Sequence, residues 1–274
     1  MRLHGSWLDA VYELDAFYPK KVNILVDKFQ RDFPPEDEVR IIVMWEPDGR
    51  IISEVMQYPD FYDYVFTYHQ YVLDNNPKAH MFLGVTMFAD PAVKHEKRFG
   101  VSTVVGHKTG STFPGYDMRH RLWFRQEEIS IPKEFYLSGG NHFGGEFIKT
   151  AHGNINVKGQ KRLHGTKDEA FSTMFHIAIE NAHMDNFFTE KICDCFLTKT
   201  VPIYVGAKNI GEFFNAEGIL QADSVDDIIA ICNVLNEKDY YDMSFAIEEN
   251  YQKALGYVDY NKMLTKRVLE VLNG

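Results

Sequence analysis

Cysteine is scarce in this sequence: Cys193, Cys195 and Cys232 are the only three among 274 residues. So odd and sparse a set excludes a disulfide framework and suits a reducing compartment. Cys193-Asp194-Cys195 lacks the paired Cys-x-x-Cys spacing of zinc folds and falls in an expected helix, so these thiols are expected to be small buried hydrophobes. Nowhere do about 18 apolar residues run together, which leaves no candidate for a membrane-spanning helix. The opening MRLHGSWLDAVYELD carries acids and no apolar run of signal-peptide type, and the expected location is the cytoplasm. Prolines and glycines are scattered, so no low-complexity linker stands out. Positive charge is also in deficit, with 29 Lys and Arg against 39 Asp and Glu and a formal net charge of −10. A chain this acidic has no global attraction for nucleic acid or anionic lipid. An anionic ligand would have to be held by a few positioned cations.

What is present is ordinary globular material, 45% hydrophobic and 25% charged, enough for a large core or two of them. Val39 to Trp45 is a short apolar run that stops at Glu46-Pro47-Asp48-Gly49, as a strand buried on both faces would. Further strands are expected at 64–68, 79–84, 100–106, 174–179, 201–206 and 220–222, with no convincing strand before residue 22. Helices are expected at 70–75, 115–128, 189–198, 225–236 and 260–272. Thr189 is the expected cap of the third of these, and Asp223 or Ser224 of the fourth. In the helix at 115–128, Met118, Leu122 and Phe124 are expected on one face and the arginines on the other. Strands alternating with helices imply a parallel α/β architecture.

The segment Phe175-His-Ile-Ala-Ile-Glu180-Asn181-Ala-His-Met-Asp-Asn-Phe187-Phe-Thr189-Glu190-Lys191 is the richest in chemistry. Glu180 and Asn181 fall at the carboxyl end of a strand, before a loop and a helix start. Free N–H groups at a helix start favour an anion such as a diphosphate, and Lys191 adds a full charge beside them. Glu190 offers acceptors to ribose or sugar hydroxyls. The plain alternative is a Glu190 that complements the helix dipole and a Lys191 on solvated surface.

This stretch, continued through Val201-Pro202-Ile203-Tyr204-Val205-Gly206 to Asn215, resembles the α1,3/4-fucosyltransferase family, glycosyltransferase family 10. The shared elements are phenylalanine near glutamate-asparagine, then threonine-glutamate-lysine, a helix, and a valine-proline-isoleucine-tyrosine-x-glycine strand. Upstream, Arg119-His-Arg-Leu-Trp-Phe124 is similar to the family's arginine with paired aromatics, which places Arg119 as the arginine on the donor's β-phosphate. A guanidinium fork suits two phosphate oxygens. On residues alone, a solvated helix face accounts equally for Arg119, Arg121 and Arg125. Trp45-Glu46-Pro47 with Phe61 to Tyr68 is similar to the family's glutamate-proline element and the strand after it. The resemblance makes Glu46 the candidate base that takes the acceptor's hydroxyl proton. Two departures stand out: Phe187 replaces the family's tyrosine, and Ala182 its serine or threonine.

The resemblance implies a GT-B architecture, two Rossmann-like domains facing across a cleft: an acceptor-side domain over 1–96 and a nucleotide-sugar donor domain over 97–274. The last helix is a candidate to cross back to the first. It further implies an inverting glycosyltransferase carrying fucose from GDP-fucose to a glycan hydroxyl, in glycan biosynthesis that includes protein glycosylation. Donor contacts would come from Arg119, Asn181, Glu180, Phe187, Thr189, Glu190 and Lys191. No Asp-x-Asp metal pair stands in the donor region and the family needs no catalytic metal, so no cofactor or metal is expected. The expected partners are a nucleotide sugar and a glycan, with no nucleic acid. Two alternatives stay open: the same fold with a different nucleotide sugar, and a non-catalytic sugar- or nucleotide-binding protein.

Overall fold

A computed structural model describes residues 2–4, 20–27, 38–47, 49–109, 112–138, 146–163 and 167–274. The chain divides into two compact units, one of residues 1–85 with 259–274, the other of residues 86–258.

The first unit holds a five-stranded parallel sheet in the order β1 (Arg2–His4), β2 (Val22–Val26), β3 (Val39–Val43), β4 (Tyr64–Thr67), β5 (Ala79–Met81). The apolar run of β3 is buried on both faces because side chains alternate across a strand. Ile41 and Val43 join Val22, Ile24 and Phe66 under Tyr260, Leu264 and Val268 of the last helix (Tyr260–Asn273). Ile42 and Met44 face the other way, with Leu25 and Val65, against Ile51 and Val55 of α1 (Gly49–Gln57) and Val72 of α2 (Gln70–Asn75). Each such side chain contributes about 1.5–3 kcal/mol when fully buried. β1 pairs with Asn23–Leu25 of β2. Its three residues include Arg2 and His4, so no apolar pattern announced a strand before residue 22.

The second unit is built on a six-stranded parallel sheet. In spatial order its strands are β10 (Lys161–Leu163), β7 (Lys133–Ser138), β6 (Arg98–Gly106), β11 (Thr173–Ile179), β12 (Val201–Val205) and β13 (Leu220–Gln221). A separate antiparallel hairpin pairs β8 (Phe147–Thr150) with β9 (Gly153–Asn156). The chain lays β6 first, builds outward through β7 to β10, then returns to place β11 on β6's other side. That reversal makes the β6/β11 boundary the topological switch point, where ligands of such sheets gather at the strand carboxyl ends. The helices are α3 (Pro114–Phe124), α4 (Glu190–Leu197), α5 (Val225–Val234), α6 (Glu237–Asp242) and α7 (Ser244–Leu255), and the last helix of the chain is α8.

Two differences from the sequence expectations have physical causes. The division falls after Val85 rather than after residue 96. The Asp194 carboxylate accepts the backbone N–H groups of Phe88 and Ala89, at 3.0 and 3.1 Å, and so ties that segment to the second unit. α8 does cross back to the first unit, the course for which the last helix was a candidate, and its apolar stripe covers that unit's sheet. In α3 the buried residues are Gly115, Arg119, His120, Leu122 and Trp123, and Phe124 is 41% exposed. Two residues of helix turn by about 200°, so Phe124 cannot share a face with Leu122, whereas Arg119 does. The three cysteines are free and buried, as expected. Among the described residues no helix is long and apolar enough to cross a membrane.

Candidate active site

The switch point of the second sheet carries a cavity of about 260 Å³. Its wall begins at the strand ends, with Gly106 of β6, Ser138 of β7 and Ile179 of β11, and takes in His107, Lys108, Tyr116, Arg119, Lys167, Asn181, Glu190 and Lys191. Four cations therefore meet two carboxylates, Glu190 and Asp194, in a chain whose overall charge is −10. A positive local field in an acidic molecule suits an anionic ligand.

Arg119 reaches the cavity because α3 lies very close to the end of β11. Gly115 donates its N–H to the Asn181 carbonyl at 3.0 Å, and a Cβ at position 115 would stand 1.7 Å from the Glu180 carbonyl oxygen. Only glycine permits that approach. From there Arg119 bonds the Ile179 carbonyl and donates to the Asn181 Oδ1 at 2.8 Å, with the Tyr116 ring 4.7 Å from its guanidinium carbon. It is 6% exposed, so the solvated-face alternative does not hold for it. Arg121 is exposed and Arg125 pairs with Glu128 and Asp226. Burial lowers the Arg119 pKa from its ordinary value, opposed by Tyr116, Glu180 and Glu190.

Thr189 caps α4, as the sequence indicated, its hydroxyl accepting the Lys191 N–H. Beneath the cap lies Glu180, fully buried. The Thr189 N–H and hydroxyl donate to its two carboxylate oxygens, each at 2.8 Å, and the Lys191 ammonium is 3.5 Å away. Burial pushes the Glu180 carboxyl up, against Lys191 and the Thr189 bonds. Lys191 and Lys167 both reach the Glu190 carboxylate, at 3.3 and 3.4 Å. Burial opposes ionisation of Glu190, but the two ammonium groups outweigh it and hold its pKa down to about 2. Lys191 is likewise kept charged, with Glu190 and Glu180 overcoming the effect of burial.

Arg119, Asn181, Glu190 and Lys191 thus share one wall. Glu180, Thr189 and Phe187 do not line the cavity. Glu180 and Thr189 anchor the helix start, and Phe187 is buried with its carbonyl 3.5 Å from the Tyr204 hydroxyl. Glu46 belongs to the first unit, at the end of β3, and is exposed. Its N–H and that of Trp45 turn to the Asp27 carboxylate, at 3.0 and 2.6 Å, and Trp45 stacks on Tyr260 with centroids 4.5 Å apart. Neighbouring Asp48 lies outside the described residues. Sequence reasoning missed Lys108, Lys167 and Tyr116. Lys108 follows the carboxyl end of β6, so the strand-end rule could have found it. Lys167, 23 positions before its partner Glu190, left no local signal.

Residues 146–263 match the family model for the C-terminal part of glycosyltransferase family 10 (fucosyltransferase). Over those residues, fewer than half of the chain, the sequence is similar to family 10 glycosyltransferases. The match takes in β11, α4 and their Thr189-Glu190-Lys191 junction. No curated protein matches the chain in sequence. Among solved structures, an α1,3-fucosyltransferase crystallised with GDP-fucose superposes with a TM-score of 0.52 at 15% identity, over 91% of this chain and 77% of that one. TarM gives 0.58 at 10% identity, over 94% of this chain and 56% of TarM. A glycosyltransferase from Rickettsia africae gives 0.53 at 8% identity, over 92% and 76%. At such identities the likeness is one of fold, the GT-B class with its paired parallel α/β units.

Proposed function

We propose that this chain is a family 10 glycosyltransferase that transfers fucose from GDP-fucose to a hydroxyl of a glycan acceptor, with inversion at the anomeric carbon. The observation that carries the reading is the cavity wall of the second unit. Arg119, Lys191 and Lys167 converge at a helix start in an acidic chain, an arrangement suited to a nucleoside diphosphate. In this reading Arg119 and Lys191 meet the charge that grows on the departing diphosphate. Fixed cations in a poorly solvated site stabilise a transition state strongly because they need no reorganisation. Glu190, kept ionised by its two lysines, accepts hydrogen bonds from ribose or sugar hydroxyls, and Asn181 adds a polar contact beside Arg119. Glu180 and Thr189 hold the helix start in place.

Glu46 is the base on the acceptor side. It stands exposed on a turn fixed by Asp27 and the Trp45–Tyr260 stack, a carboxylate free to take a proton. The first unit would then serve the acceptor and the second the donor. No resident metal is needed in this scheme, because protein cations match the charge on the leaving group. The test is a panel of nucleotide sugars incubated with a glycan library, with nucleoside diphosphate release and product mass as readouts. GDP-fucose should turn over above all others, and equally in EDTA and in manganese. Turnover of another nucleotide sugar alone would favour the same fold with a different donor. Phe187 and Ala182 give that second reading some weight, since neither brings a hydroxyl to the donor loop.

A further inference from the structure

Trp45 stands one residue before Glu46, on the turn that closes β3, so the two Cα atoms are about 3.8 Å apart. A ring this large and apolar gains most by entering a core. Trp45 instead borders the cluster of Val22, Ile41 and Phe66 and is only half-buried. Three separate parts of the first unit fix it there. Its backbone N–H donates to the Asp27 carboxylate together with that of Glu46, so the two residues are held as a pair. Tyr260, the first residue of α8, stacks on the indole almost in parallel, with centroids 4.5 Å apart and planes at 11°. The Phe82 ring meets Tyr260 edge-on at 5.8 Å, and a Cβ at Gly84 would stand 2.8 Å from a Tyr260 ring carbon, so glycine leaves room for the stack.

Tyr260 therefore covers one face of the indole. Among the described residues no second ring meets it, and its Nε1–H is neither bonded to one of them nor sealed from solvent. The carboxylate beside it is exposed. A pyranose suits such a surface. Its axial C–H bonds form an apolar face that lies flat on an aromatic ring, while its hydroxyls project from the rim towards polar partners. Here those partners are the indole N–H and the Glu46 carboxylate. Because Trp45 is already held, stacking on it costs little ordering of the protein.

We infer that Trp45 is the platform for the acceptor, holding the C–H face of a pyranose beside Glu46 so that a hydroxyl of that sugar meets the base. The inference rests on Glu46 as the base and adds the residue that positions the acceptor and selects it. A serine side chain or an open-chain polyol carries a hydroxyl but has no rigid C–H face to lay on the indole.

The test is saturation-transfer NMR of cellobiose with the full chain and with Trp45→Ala and Trp45→Phe. Each β-linked glucose ring of that probe carries H1, H3 and H5 on one face and H2 and H4 on the other. The wild type should saturate one of those sets far more strongly than the other. Trp45→Ala should weaken binding about 10–100-fold, as truncation of an aromatic anchor does, and lose the one-sided pattern. Trp45→Phe keeps a ring on Tyr260 and should keep the pattern at reduced affinity, which separates loss of the platform from misfolding. On a glycan that is turned over, Trp45→Ala should raise the acceptor KM by the same factor and leave the GDP-fucose KM unchanged. A ring that only supported the fold would lower kcat and leave both KM values in place. Equal saturation of both faces, no saturation, or equal binding by Trp45→Ala overturns the platform. So does an unchanged acceptor KM in Trp45→Ala, while fucosyl transfer by the wild type stands. A one-sided pattern that depends on Trp45, in a protein that turns over no nucleotide sugar, supports the platform as a sugar site and overturns the transferase reading.

Discussion

Each of the two parallel sheets ends at a candidate functional element, and the two elements are equipped in opposite ways. At the end of β3 the first unit presents one exposed carboxylate, Glu46, on a turn held by Asp27. At the ends of β6 and β11 the second unit holds a network in which Lys191, Lys167, Glu180 and Glu190 pair with one another, with Arg119 beside it on Asn181 and the Ile179 carbonyl. The contrast fits the division of labour proposed above. A base must exchange its proton, and solvent access lets it do so. Cations that stabilise a leaving group act best when their positions are set before the substrate arrives. Burying like charges is costly unless opposite charges are interleaved, and this explains why Glu190 stands between two lysines.

The largest expected effect breaks the comparison on the side of the first unit. Glu46→Gln keeps shape and hydrogen-bonding reach but removes proton acceptance. Turnover on a verified acceptor should fall by about 10²–10⁴-fold, with GDP affinity unchanged, because the proposed donor contacts lie in the other unit. Near-full turnover would remove Glu46 from the mechanism.

On the side of the second unit, Gly115→Ala tests whether the network depends on backbone contact. The added Cβ would fall 1.7 Å from the Glu180 carbonyl oxygen, and a backbone atom cannot swing away as a flexible side chain can. We expect a loss of about 1–3 kcal/mol in urea unfolding, together with weaker nucleotide binding, since Arg119 rides on the same helix. A variant as stable as the wild type would show that α3 can retreat without consequence.

How much of this contrast the sequence carried depends on the range of each signal. β11, the Thr189 cap and the start of α4 were legible because apolar runs and capping are local. Arg119 was singled out by its motif, yet its burial could not be read from residues that look like a solvated face. Its depth comes from the contact of Gly115 with Asn181, some 66 positions away in sequence. The role of Glu180 was obscured for the same reason. A glutamate at a strand end looks like a ligand contact until Thr189 is seen to occupy both of its oxygens. β7 to β10 were missed as well. Between residues 133 and 163 the strands are short, and β8 and β9 alternate buried Ile148 and Ile155 with polar or exposed neighbours, giving little apolar signal.

A smaller effect concerns pH. Burial lowers the His176 pKa from 6.5 to about 3, helped by Lys167 and Lys97. The folded value lies below the unfolded one, so this contribution to stability is complete above about pH 6.5. It is lost as the pH falls towards about 3, because the unfolded chain then binds a proton that the folded chain refuses. The unfolding free energy from urea titrations should fall between pH 7 and pH 5 by on the order of 1 kcal/mol per pH unit on this account, and His176→Phe should flatten the slope. An unchanged slope would mean that the imidazole is not held neutral.

The central claim is that the cavity beside Asn181 and Lys191 holds the diphosphate of the donor, and calorimetric titration of GDP into the wild type and Lys191→Ala tests it most directly. Lys191 touches both Glu180 and Glu190, so a thermal melt accompanies the titration to show that the variant is folded. Loss of one charge-assisted contact should weaken GDP by about 1.5–3 kcal/mol, or roughly 10–150-fold. Equal affinity in a folded variant would contradict the account and put the diphosphate elsewhere.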